Sequence, residues 1–99
     1  MQHAQEPKAQ EYAQEHLRFL QEHRPDVLAG LRRSGDLNSY LSSVGDQASD
    51  RFLTLMMQHN NSPEVQKLPH QDRVMSLQSR RREADELVRH DLINQPLQD

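Results

Sequence analysis

The chain has 99 residues, enough for one domain, with 15 acidic against 12 basic side chains and a net charge of -3. Cysteine is absent, which excludes disulfides, thiolate metal sites and cysteine nucleophiles. With 27% charged and only 4% aromatic residues, the core must be thin and aliphatic, and the acidic balance argues against a general nucleic-acid coat.

A short chain buries a smaller share of its surface than a long one, so a homodimer or a protein partner is expected. No apolar run approaches a membrane span, and Met1 to Glu6 lacks the basic and apolar regions of a signal peptide. A cytoplasmic protein with no membrane contact is the expectation.

Residues 1–7 are polar, end at Pro7 and read as a flexible lead-in. A single helical domain is expected over 8–94. From Lys8 to His23, Tyr12, Ala13, His16, Leu17, Phe19 and Leu20 make an apolar face, with Glu11, Gln14, Arg18, Gln21 and Glu22 opposite. Arg24 precedes Pro25 and is pushed out of helical geometry, which ends the first helix. Pro25 then opens a short second helix of about ten residues. Val27, Leu28 and Leu31 form its stripe, Arg32 and Arg33 complement its carboxyl end, and Gly35 stops it.

Asp36, a candidate N-cap, starts a long central helix through His59. Its stripe is Leu37, Tyr40, Leu41, Val44, Ala48, Phe52, Leu55 and Met56. Gly45 lies inside it. Two readings stay open there: one continuous helix that a neighbour approaches closely, or a break into two. Leu53 and Met57 fall beyond the main stripe and form a candidate apolar interface. Ser62, Pro63 and Glu64 predict a single helical turn. The last helix is expected from about His70 to Asn94, with a stripe of Val74, Leu77, Arg81, Ala84, Leu87 or Val88, and Leu92. Pro96 stops it, and 95–99 reads as a flexible tail. The expected fold is all-α: a small bundle of about four helices plus one short helical turn, around a long central helix.

Chemistry-bearing constellations are few. The histidines His3, His16, His23, His59, His70 and His90 lack the i, i+4 spacing that sets two imidazoles on one metal ion. His16 and His23 stand two turns apart, roughly 10 Å along a helix. The pairs Asp46/Asp50 and Glu83/Glu86 have the look of solvated helix faces. Ser39, Ser42, Ser43 and Ser49 sit in no nucleophile elbow, and three glycines build no phosphate loop. No catalytic residue, cofactor, metal or small-molecule substrate is expected.

The run Arg80-Arg81-Arg82 is the most distinctive cluster. Successive helical residues point about 100° apart, so the three cannot share a face. Arg81 falls in the apolar stripe, and a buried guanidinium needs a partner. A structural ion pair of Arg81 with Asp50 or Asp46 is therefore expected. Arg32, Arg33, Arg73, Arg80 and Arg82 are candidate contacts to nucleic acid or to an acidic partner.

Several strings carry a resemblance. They are Glu15-His16-Leu17-Arg18-Phe19-Leu20-Gln21-Glu22-His23-Arg24, then Leu31 with Ser34-Gly35 and Leu37-Asn38-Ser39-Tyr40-Leu41, then Asp46-Gln47-Ala48. Arg81, Ala84, Leu87-Val88 and Asp91-Leu92-Ile93 continue them. From Tyr12 to Ile93, in one register, the chain resembles the TnpV family of small transposon-encoded proteins. It departs from the family pattern in lacking a further segment before the first helix and a tryptophan near Val74. The resemblance implies a mobile-element context and suggests an excisionase-like accessory role. It supplies no catalytic residues.

Three functions compete at this stage. The first is a non-enzymatic helical protein-interaction module of a mobile genetic element. The second is a DNA-binding accessory protein in transposon recombination. The third is an inhibitor of a host nuclease or defence complex.

Overall fold

The computed structural model describes residues 6–93. It is built from α1 (Pro7–His23), α2 (Pro25–Ser34), α3 (Leu37–Asn60), a single turn α4 (Pro63–Gln66) and α5 (His70–Val88). A π-helical turn, Arg89–Ile93, closes α5, and no strand occurs among the described residues. The fold is the expected small all-α bundle around a long central helix. Of the expected lead-in and tail, only Glu6 and Pro7 lie among the described residues. Pro7 is already helical, because a proline fits the first position of α1.

Each boundary has a local cause. Pro25 forces Arg24 to φ -138°, ψ 60°, which separates α1 from α2. Gly35 ends α2 at φ 78°, a left-handed geometry that its missing Cβ permits. The Gly35 and Asp36 N–H groups cap α2, donating to the Arg32 and Leu31 carbonyls at 3.2 and 3.0 Å. Asp36 does not cap α3 with its side chain. Its backbone is in helical geometry (φ -96°, ψ 0°), and its carbonyl instead accepts from Tyr40 N–H at 2.9 Å and Ser39 Oγ at 3.1 Å. The central helix runs unbroken through a buried Gly45, so the continuous reading holds. Ser62 does cap α4, accepting from Val65 N–H.

α3 is the axis, packed against both α1 and α5, with Tyr40 meeting α1 through His16 and His59 meeting α5 through Ser76. The core cluster joins Tyr12 of α1, Ala48, Phe52 and Leu55 of α3, and Ala84, Val88 and Ile93 of the last helix. Val44, Met56 and Leu92 pack around it. Fully burying each large apolar member stabilises by roughly 1.5–3 kcal/mol. Every residue of the expected α3 stripe is buried or half-buried.

The stripe expected on α5 is the main correction. Ala84 and Val88 are buried, but Val74, Leu77, Arg81 and Leu87 are exposed. α5 instead carries its least exposed residues on the i, i+4 line Ser76, Arg80, Ala84, Val88. Its place beside α3 is fixed by Ser76 Oγ, 2.9 Å from His59 Nε2. The Val74–Leu77–Arg81 line is turned to the side where α1 lies, and α1 begins only at Pro7. Lys8, in its first turn, already reaches the Phe52 ring. The far halves of α3 and α5 thus extend beyond the helix that would cover them.

A second difference is the chain end. The α5 line was expected to remain α-helical to Asn94; it widens into a π turn at Arg89. That extra residue per turn carries Ile93 into the core and its carbonyl onto His16.

Candidate interaction surface

Two polar networks tie the last helix to the first. His16 is buried on α1, with Nδ1 2.7 Å from the Ile93 carbonyl and Nε2 2.6 Å from the Tyr40 hydroxyl. A carbonyl can only accept, so Nδ1 carries the proton, and Nε2 accepts from Tyr40. Burial lowers the His16 pKa, partly opposed by the Ile93 carbonyl, and burial raises that of Tyr40. The second network centres on Asp85. Its Oδ1 accepts from Tyr12 Oη at 2.6 Å and Lys8 Nζ at 3.1 Å, and its Oδ2 pairs with Arg89. Arg89 also reaches Glu15 at 3.0 Å and Glu11 at 3.9 Å. Burial alone would push the Asp85 carboxyl up, but the bonds from Tyr12 and Lys8 hold it below its ordinary range. Burial and the Asp85 bond together raise the Tyr12 phenol. These groups satisfy one another and fix α1 against α5.

The candidate arginines do not form one patch. Arg32 and Arg33 are exposed at the end of α2, beside the amino end of α3. Arg73 borders a groove with Asn60, at the other end of that helix. With 24 residues in α3, the two sites are separated by roughly 35 Å. Arg73 donates to the Leu68 carbonyl at 3.4 Å. Arg80 is half-buried and paired with Glu83 at 3.4 Å, while its Nε is buried with no hydrogen-bond partner among the described residues. Arg82 is exposed. Arg81 is not on the buried line from which a pair with Asp50 or Asp46 was expected. It is exposed because Arg80, not Arg81, lies on the α3-facing line, and its guanidinium sits over the Phe52 ring at 5.8 Å.

Leu53 and Met57 are exposed, at 47% and 61%. The surface extends further than they do. Val74 (41%) and Leu77 (37%) of α5 are exposed as well, lining with Asn60, His70 and Arg73 a groove of about 180 Å³. Leu53 and Asn60 are seven residues apart, so they stand on one side of α3, with Met57 between them. Asn60 is the α3 residue that borders the groove lined by Val74 and Leu77. Val74 and Leu77 were missed as surface residues because their period is that of a core stripe. The signal that could have found them is length: a 17-residue α1 cannot span a 24-residue α3.

Among the described residues no group of three His, Asp or Glu could hold a metal ion, and no helix is long and apolar enough to cross a membrane. Fold and surface define a small all-α bundle with exposed apolar side chains on α3 and α5 among the described residues. The chain belongs to the family described as transposon-encoded protein TnpV, whose pattern it matches over residues 1–93. That membership ties it to mobile genetic elements. No curated protein and no solved structure matches it.

Proposed function

We propose that this chain is a non-enzymatic protein-interaction module of a mobile element, acting in the cytoplasm through the face formed by Leu53, Met57, Val74 and Leu77. The observation that carries this reading is the uncovered helix pair itself. Four large apolar side chains on two adjacent helices are exposed, and exposed apolar patches mark interfaces. Arg73 and His70 border the Val74–Leu77 groove, as polar groups rim an apolar centre at protein interfaces. A photoreactive residue at position 57 tests it. Cross-linking to a protein that vanishes with Leu53→Glu supports the reading; no cross-linked protein in cells carrying the element sinks it.

The excisionase-like alternative uses Arg32, Arg33, Arg73, Arg80 and Arg82 on DNA. The distance between the α2 and α5 arginines and the pairing of Arg80 with Glu83 make this a weaker phosphate footprint. A mobility shift on element ends that fades steeply with salt would favour it over the protein-docking reading.

A further inference from the structure

We infer that the turn Arg89–Ile93 is a proton-released latch: charging His16 frees Ile93 from the core while α1, α3 and the body of α5 stay packed. The molecule then has an open form distinct from the unfolded chain.

His16 is where three elements meet. It is 1% exposed, and its ring joins α1 to the turn through the Ile93 carbonyl at 2.7 Å and to α3 through the Tyr40 hydroxyl at 2.6 Å. Neutral imidazole suits both bonds, with Nδ1–H donating to the carbonyl and Nε2 accepting from the phenol. Charged imidazole does not. Its Nε2 becomes a second donor, so the Tyr40 oxygen must accept, and the phenol proton must turn elsewhere. The groups bonded to the ring or stacked on it are uncharged: the Tyr40 phenol from α3, the Ile93 carbonyl from the turn, and the Phe19 ring of α1 at 5.9 Å. Glu15, next to His16 on α1, is taken by Arg89 of the turn at 3.0 Å. Burial rather than a neighbouring cation lowers the His16 pKa. A buried charge without an opposite charge beside it is relieved by water, and water enters here when one of the three elements moves.

The turn is the element with least to hold it. α1 and α3 share the buried side chains Tyr12, Ala48 and Phe52, whereas the turn is seated by Ile93. Its π geometry is a rare form, met in single turns and often at functional positions. Arg89 anchors its near end through Asp85 and Glu15. The Asp85 carboxyl is held below its ordinary range, so that anchor outlasts the charging of His16, and the hinge falls just after Arg89. His90 on the turn and His23 beside Phe19 are exposed, so a charge on either reaches water without any movement.

Amide hydrogen exchange of the full chain at about pH 7.5 and about pH 5.5, corrected for the chemical exchange rate, tests this. Each pH unit below the free imidazole value of about 6.5 favours the open form about tenfold, until the closed form itself takes up the proton. At the lower pH the amides of Arg89–Ile93 should therefore open several-fold more often, up to about tenfold, while those around Tyr12 and Phe52 keep their protection. In His16→Gln, whose side-chain amide can donate to the carbonyl and accept from the phenol, the pH dependence should vanish. In the native chain the NMR signals of the His16 ring should shift over the same pH interval as the turn opens, a check that needs no variant. Equal protection of the turn at both pH values overturns the inference, since His16 then charges inside a closed turn. Protection lost evenly across α1, α3 and α5 overturns it too, since the bundle then unfolds as a whole.

Discussion

The Tyr12 hydroxyl donates a 2.6 Å hydrogen bond to Asp85 across 73 positions of sequence. It joins the first helix to the last at the edge of the core, where Lys8 and Arg89 also converge on the same carboxylate. A bond to a charged acceptor contributes about 1.5–3 kcal/mol. Asp85 retains some solvent exposure, so Tyr12→Phe should destabilise by about 1–2 kcal/mol. Asp85→Ala should cost more, about 2–3 kcal/mol, because it leaves both the buried phenol and Arg89 short of a partner. Urea denaturation midpoints, with unchanged slopes, check both.

His16 should make stability fall in mild acid. Its pKa is lowered in the folded state by burial, so the unfolded chain binds the proton more readily. The contribution is fully present above the unfolded value of about 6.5 and is lost as pH falls from there through the folded value. Asp85, also depressed, adds a second loss at lower pH, below about 4. Denaturation midpoints measured against pH should show the upper step in the native chain and not in His16→Gln.

Two glycines should respond in opposite directions. Nothing lies within 4 Å of a Cβ built on either Gly30 or Gly35, so backbone geometry alone decides. Gly35 is left-handed, and Gly35→Ala should destabilise by about 1–2 kcal/mol. Gly30 is inside α2 with no positive φ, and Gly30→Ala should stabilise by about 0.5–1 kcal/mol. Thermal melts of the two variants side by side are sufficient.

Arg81→Ala should be mild. An exposed guanidinium over an aromatic ring contributes about 0.5–1 kcal/mol, far less than a buried ion pair broken on one side. A loss of several kcal/mol in the same denaturation assay would mean that Arg81 holds a partner after all.

Much of the bundle is legible in the sequence because its punctuation is local. Pro25, Gly35 and Ser62-Pro63 each act on their own backbone, and the α3 stripe from Leu37 to Met56 has a single phase. What is not legible depends on distant partners. Whether Arg80 or Arg81 faces inward depends on where α5 meets α3, a contact set by His59 and Ser76. The roles of Lys8, Asp85 and Arg89 were missed, although the i, i+4 spacing of Asp85 and Arg89 was visible; their other partners lie more than seventy positions away. Leu53 and Met57 could be marked as off-stripe from spacing alone. That Val74 and Leu77 are exposed as well follows only from where α1 begins.

The contact between His16 and the Ile93 carbonyl also sets an order of events during synthesis. α1 leaves the ribosome well before the groups that close over its inner face, Asp85, Val88 and Ile93. Until then Tyr12 and His16 have only α3 to lean on. The fold therefore cannot complete before Ile93 has been made, since it closes a loop of 77 positions, and it should do so more slowly than helical proteins whose contacts are between neighbours.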